Sequence, residues 1–453
     1  MNRLTLCVLA AMLLTSGPVT SEAKELEGEA LVETFFALAS KDGKQNRRAE
    51  KALRKTWHEA YAVMCLEMTQ YAPPERRTEI FEFLEKQTGE KLGADRDAWW
   101  RWIWREPRAE LPSYALLKSR LYGLLDPRFS GYFDPERERT IRLDEVRWGG
   151  VKQDGIPPLR SPKMLSAQDA TYLGDGDVVF GLEVNGDARA YPKRILAWHE
   201  MFTDAVGGVS VAGVYCTLCG TMIVYDTSFG GTDHHLGTSG FLYRSNKLMY
   251  DRATQSLWST FEGEPVIGPL VGKGIRLEAR AVVTTTWSEW LQRHPDTQVL
   301  SLETGHRRDY SEGAAYRDYF ATDKLMFSVP ELDDRLANKD EVLAIDLGVP
   351  GDPPLAVSAE FLSKNAVWHE DQGGQSFVVL TDPSGANRVY ASGTHRFVSW
   401  QGRDVVVDSN DHRWTVTERE LVAEDGRSVP RLPAYRAFWF GWRAAHPDTR
   451  LVR

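Results

Sequence analysis

From Lys24 to about Leu125, apolar residues recur every three to four positions. Leu31, Phe35 and Leu38 fall on one side of a helix, as do Ile80, Phe81 and Leu84. The segment is rich in Ala, Glu, Lys and Arg, so it predicts a helical domain. Pro73-Pro74 and Gly89 punctuate it. In WWRWIW (Trp99 to Trp104), Trp100 and Trp104 lie one helical turn apart, which predicts packing against the next domain rather than a ligand platform. Cys65, within YAVMCL, reads as a small buried apolar side chain.

Near Asp126 the texture changes to short β-branched runs separated by Gly, Pro and Asp. DVVFGLEV, VSVAGVY, TMIVYD and PVIGPLV are strand candidates bounded by turn residues. This part also repeats. ILAWHEMF (195–202) returns as NAVWHEDQ (365–372), WLQRHPDTQVL (290–300) as WRAAHPDTRLV (442–452), and DVVFGLEVNG as DEVLAIDLGV. Shared motifs in the same order predict a duplicated unit. The expected fold class is therefore α+β. A helical domain (24–125) precedes two tandem, mainly β repeats (126–305 and 341–453) joined by a connecting segment (306–340) and packed as a pseudo-dimer.

The N-terminus reads MNRLTLCVLAAMLLTSGPVTSEAKE. Its basic residue, short apolar stretch and small-x-small site predict a signal peptide over residues 1–23, cut near Ala23 and carrying Cys7 away. The expected location is periplasmic or secreted, with no integral membrane span after cleavage. The exported chain would retain Cys65, Cys216 and Cys219. With 453 residues and 42% hydrophobic residues there is room for two or three globular domains. Lys+Arg 55 against Asp+Glu 64 leaves a net charge of −9 without a long basic run, which argues against nucleic acid as a partner.

The chemistry concentrates in VYCTLCGTMIVYD (214–226). A CxxC pair that opens a helix has its thiolate stabilised by the helix N-terminus. Here strand-like runs flank C-T-L-C-G on both sides, so Cys216 and Cys219 are expected on a hairpin loop, with Gly220 at a positive φ. Such a loop turns N–H groups toward the sulfurs and suits a metal knuckle for zinc or copper(I). Zinc needs further ligands, and His199 is the expected third, with Glu200 as an outer carboxylate. His234 and His235 lie in a Gly-rich hydrophilic loop and read as solvated; His294, with its twin His446, reads as structural.

The second repeat offers VLTDPSGANRVY, with Thr381 and Ser384 at the cysteine positions. The unit is thus expected to fold without the thiols. Two further readings stay open: an extracytoplasmic thiol–disulfide oxidoreductase using Cys216 and Cys219, and a non-catalytic binding or scaffold module with an oxidised pair. Asp251 and Arg252, beside Asn246, Ser239 and Trp258 in SGFLYRSNKLMYDRATQSLWS, are candidate catalytic neighbours or a pocket-shaping ion pair. The stretch around Ser239 lacks the nucleophile-elbow spacing, and Gly272-Lys273-Gly274 is no dinucleotide fingerprint. The expected partner is a small molecule or metal ion.

Residues from about Ile141 to Arg453 resemble a family of secreted bacterial and archaeal proteins classed as a domain of unknown function. The resemblance rests on Tyr215-Cys216-Thr217-Leu218-Cys219-Gly220, on VNGDARAYPKRILAWHE (184–200), on SGFLYRSNKLMYDRATQSLW (239–258) and on HPDT (294–297). It implies an extracytoplasmic address and a site around Cys216, Cys219, His199, Asp251 and Arg252. It implies no particular reaction.

Overall fold

Capping chemistry sets the boundaries of the N-terminal helices. Asp42 accepts the N–H groups of Lys44 and Gln45 at the start of helix Gly43–Lys55. Pro73-Pro74 opens helix Pro74–Thr88, and Gly89, at φ +83°, closes it. A computed structural model describes residues 26–105, 108–401 and 403–453; the expected signal peptide and Cys7 lie outside these residues. The fold is mixed α+β, with a helical N-terminal part followed by a β-rich region.

The tryptophan-rich helix Arg96–Arg105 buries Trp99, Trp100 and Trp104. Trp100 and Trp104 stack at 5.6 Å, and Trp104 donates to Asp144 O at 3.2 Å. This helix therefore seats the helical part on the chain that follows. One core runs from Leu31 and Phe35 through Tyr122 and Phe129 to Phe241, Leu248 and Tyr250, so the helices share their interior with strands Leu236–Tyr243 and Asn246–Asp251. Buried among them, Lys118 pairs with Glu67 at 2.7 Å, and Tyr114 and Tyr122 donate to the same carboxylate. Cys65 is fully buried here.

The β-rich region contains two sheets of the same design. In one, four strands run in the order Val283–Thr286, Val178–Val184, Asp187–Pro192, Gln298–Leu300, and Met164–Ser166 adds a fifth, antiparallel, beside Gln298–Leu300; in the other the order is Tyr435–Phe438, Glu341–Ile345, Leu355–Ser358, Arg450–Val452. Among the four strands common to both, the last pairing is parallel and the others are antiparallel. Helices Trp287–Arg293 and Trp439–Ala445 occupy matching positions. Trp290 donates to Thr297 and Trp442 to Thr449, both at 2.9 Å, while His294 and His446 lie against those rings at 4.1 and 3.9 Å. That local frame explains the repeated HPDT.

Each sheet feeds a hairpin through a short helix. Strands Met201–Val206 and Val209–Cys216 turn at Gly207-Gly208, and strands Val367–Gln372 and Gln375–Thr381 turn at Gly373-Gly374, all four glycines at positive φ. Tyr215 N donates to Glu200 O, and Thr381 N to Ala366 O, each at 2.9 Å. This register corrects the repeat expected from the shared letters Trp-His-Glu. Asn365, not His369, stands opposite His199 in the sister hairpin, and His369 lies on a strand instead of ending a helix.

The loop after the hairpin is one residue shorter in the second unit: Tyr215 pairs with Met222, whereas Thr381 pairs with Asn387. Counted from the incoming strand, Asp382 replaces Thr381 as the counterpart of Cys216. Counted from the outgoing strand, Ser384 remains the counterpart of Cys219.

The second unit extends its hairpin into an eight-stranded sheet that nearly closes into a barrel, with Phe397 N donating to His369 Nε2 at 3.0 Å across the two edges. In the first unit the equivalent region is split into two five-stranded sheets, one containing Val209–Cys216 and the other Asn246–Asp251. Residues of both line a single cleft. Among the described residues, no helix is long and apolar enough to cross a membrane.

Candidate functional site

Cys216 ends strand Val209–Cys216, Thr217 to Gly220 form a turn, and strand Thr221–Asp226 follows. Gly220 sits at φ +63°. The pair therefore occupies the expected hairpin loop, and no helix begins at Cys216. The two sulfurs are 2.8 Å apart and unbonded.

The second wall is a tight hairpin, with Tyr243 paired to Asn246 across Arg244 and Ser245. Both central residues adopt positive φ, 47° and 67°, as a two-residue type I′ turn demands, although neither is glycine. Arg244 is held there by Glu145, at 2.8 and 3.1 Å, and by Ala444 O at 3.2 Å. The turn brings Ser245 O to 3.4 Å and Asn246 Oδ1 to 2.8 Å from Cys219 Sγ. Asn246 Nδ2 donates to Arg244 O and Gly441 O, which fixes the amide with its oxygen toward the sulfur. The single Cys219 S–H thus has Ser245 O, Asn246 Oδ1 and Cys216 Sγ within reach as acceptors.

The neighbouring sulfur meets donors. Burial opposes ionisation of Cys216, but the Cys219 thiol, the Lys247 backbone N–H and the Lys247 ammonium together hold the Cys216 thiol below its ordinary range. For Cys219, burial and then the contact with Cys216 push the thiol well up. Cys216 borders the cleft, whereas Cys219 is 0% exposed and does not. The arrangement is one cleft-facing sulfur with a lowered pKa backed by one buried thiol with a raised one.

Lys247 forms a buried ion pair with Glu200. Thr217 and Tyr316 donate to the other oxygen of Glu200 at 2.7 and 2.9 Å. Tyr319 donates to Leu218 O, inside the CxxC loop, at 2.8 Å. Burial keeps the hydroxyls of Tyr316 and Tyr319 protonated, so both remain donors. The segment expected only to connect two repeats thus covers the site. Of the nine non-glycine residues at positive φ among the described residues, Glu200 and Tyr316 line this cleft, and Arg244 and Ser245 form the turn behind Cys219. Such conformations persist where surrounding contacts enforce them, and they concentrate at functional sites.

His199 lies outside this arrangement. It is fully buried at the end of helix Lys193–His199, with Nδ1 bonded to Pro157 O at 2.8 Å and Nε2 to Tyr310 OH at 2.6 Å. Both ring nitrogens are occupied, so the expected third metal ligand is not presented to the thiols. Among the described residues there is no group of three His, Cys, Asp or Glu side chains placed to hold a metal ion.

Asp251 accepts from Thr254 N and Oγ1, at 2.7 and 2.9 Å, and lies 3.4 Å from His234 Nδ1. Arg252 is exposed. Neither borders the cleft, and their expected mutual ion pair gives way to these partners. His234, expected to be solvated, is instead buried against Trp258 with ring centroids 5.0 Å apart.

Lys247, Tyr316 and Tyr319 are the site residues that sequence reasoning missed. The available signal was the lysine in the strand NKLMYD, since a lysine between apolar strand positions needs a partner when the strand is buried.

A family model described as "Protein of unknown function (DUF3179)" matches residues 153–449. The chain belongs to this family. The DUF3179 match takes in Cys216, Cys219, Glu200, Lys247, Tyr316 and Gly441. No curated protein and no solved structure matches the chain.

Proposed function

We propose that this DUF3179 protein is an exported dithiol protein that exchanges Cys216 and Cys219 with a disulfide substrate. The observation that carries the reading is the asymmetry of the pair: Cys216 faces the cleft beside Lys247 with its thiol held below the ordinary range, and Cys219, held well above it, is buried 2.8 Å behind. The Cys216 thiolate attacks one sulfur of R–S–S–R, forming Cys216–S–S–R and releasing RS⁻. Cys219 then gives up its proton, which the departing RS⁻ accepts, and attacks Cys216 Sγ. The Cys216–Cys219 disulfide forms and the second RS⁻ leaves. An external dithiol reverses the sequence and restores the pair. Lys247 does here what a helix N-terminus does in other CxxC proteins.

The metal reading is less well supported by the geometry. Two thiolates on a tetrahedral zinc, each at ~2.3 Å, lie ~3.8 Å apart, so the sulfurs would have to separate by about an ångström and recruit ligands other than His199. The sister loop bears on the thiolate. Asp382, the counterpart of Cys216, is a carboxylate bound by Ser384 N at 2.9 Å, Ala386 N at 3.0 Å and Arg388 at 3.0 Å. An anion at this position in both units is what a charged Cys216 would share with it. We also propose that the two units arose by duplication, on their matching strand orders and hairpins.

In the test, the Cys219→Ser protein is incubated with 2-hydroxyethyl disulfide and followed by intact mass. A stable mixed disulfide on Cys216 is expected, and the reduced wild-type protein should instead proceed to its internal disulfide. Failure of Cys219→Ser to trap any adduct would reject the reading. A stoichiometric metal in protein purified under reducing conditions would favour the metal site. Cys216→Ser with Cys219→Ser should stay folded, within a few degrees of the wild-type melting temperature.

A further inference from the structure

The cleft in front of Cys216 has a volume of about 60 Å³ and is walled by Val151, Ile156, Leu218, Leu242, Met326 and Phe327. So small a space admits one short side group of a ligand and not a folded chain. Its polar side chains are already engaged inside the protein. Glu200 takes Lys247 on one oxygen and Thr217 with Tyr316 on the other, and Thr238 donates to Ile156 O at 2.9 Å. The one acid and one base in the lining thereby pair with each other. A ligand entering here meets apolar side chains, the Cys216 sulfur and a Lys247–Glu200 ion pair whose hydrogen-bonding positions are taken up within the protein.

From this we infer that the disulfide received by Cys216 is a neutral one carrying short apolar groups. The inference rests on the dithiol reading above and adds the substrate class to it. A carboxylate or ammonium on the incoming group would lose its water without gaining a counter-ion, a cost that nothing in this lining offsets. An alkyl group gains from the same walls, at ~0.8 kcal/mol or about fourfold per buried methylene. A three-carbon chain therefore accounts for a preference of about tenfold or more.

The chemistry is the exchange already written. Cys216 Sγ bonds to one sulfur of the dialkyl disulfide, an alkanethiolate departs with the bonding pair, and the Cys219 proton leaves with it as the thiol. One equivalent of dialkyl disulfide thus yields two equivalents of alkanethiol-level product and one Cys216–Cys219 disulfide.

Three disulfides of graded polarity decide the matter: dipropyl disulfide, 2-hydroxyethyl disulfide and oxidised glutathione. Mixed-disulfide formation on Cys219→Ser is timed by intact mass, and each rate is divided by that of a free small thiol with the same disulfide. The normalised rate for dipropyl disulfide should exceed that for 2-hydroxyethyl disulfide by about tenfold and that for oxidised glutathione by more. Equal normalised rates, or faster reaction with oxidised glutathione, would overturn the inference while leaving the dithiol reading intact. Reaction with none of the three would remove the dithiol reading itself. Met326, 53% exposed at the rim, allows a check that spares the fold. With Met326→Lys added, the dipropyl preference should fall at least threefold, and an unchanged preference would place the alkyl group outside this cleft.

Discussion

Cys65 and Cys216 are both buried thiols, yet their surroundings push them in opposite directions. Cys65 lies among apolar helices, where burial drives its thiol far up and leaves it inert. Cys216 bears the same desolvation, but Cys219 and Lys247 outweigh it. Replacing Lys247 should undo this. In Lys247→Met combined with Glu200→Gln, which leaves no unpaired buried charge, the pH midpoint of Cys216 alkylation by iodoacetamide should rise, because the Lys247 contribution outweighs that of Glu200, and the reaction at pH 7 should slow. His199 gives a second pH signature. Burial lowers its pKa to about 4, so between its unfolded value of about 6.5 and pH 4 the unfolded chain binds more protons than the folded one. Its contribution is fully present above pH 6.5 and is lost as pH falls toward 4. Denaturant titrations at pH 7 and pH 4.5 should show this loss, and His199→Gln should reduce it by ~1–3 kcal/mol.

At the scale of elements, helix Trp439–Ala445 closes the back of a site that belongs to the other unit. Phe438 N donates to Cys219 O at 2.7 Å, and Gly441 O receives the Asn246 amide. A β-carbon at Gly441 would lie 3.0 Å from Cys219 Cβ and 3.4 Å from both Cys219 Sγ and Asn246 Oδ1. This glycine sits in a helix despite the ~1 kcal/mol that glycine costs there, because the hairpin presses against it. Gly441→Leu should therefore lower the melting temperature rather than raise it. It should also slow closure of the Cys216–Cys219 disulfide, seen as accumulation of mixed disulfide in an otherwise wild-type dithiol.

Across the whole molecule, the interiors are shared between parts that look separate along the chain. Met201, Val214 and Ile223 of the first unit pack with Val342, Ala344 and Trp439 of the second. Phe241 binds the helical part to the cleft: its ring lies 4.8 Å from Phe129, 5.0 Å from Phe133 and 5.1 Å from Tyr122, and it borders the site on the other side. Phe241→Ala should cost ~3–5 kcal/mol in urea unfolding. Helical circular dichroism and tryptophan fluorescence should still report one coincident transition, because helices and strands lose the same core together.

The change from helical to strand periodicity near Asp126, the hairpin setting of Cys216 and Cys219, and the recurring Trp, His and Thr frame of HPDT are legible in the amino-acid order alone. Those features depend on neighbours a few positions away, and local spacing encodes them. Tertiary structure decided what the thiols are. Lys247 meets Glu200 from 47 residues away, Tyr316 meets it from 116, and Gly441 reaches Asn246 from 195. It also decided that His199 faces Pro157 and Tyr310, and that Trp-His-Glu repeats in letters but not in register. The ionisation of a buried group is set by the charges and hydrogen bonds folded around it, and in this chain those come from segments that no periodicity links.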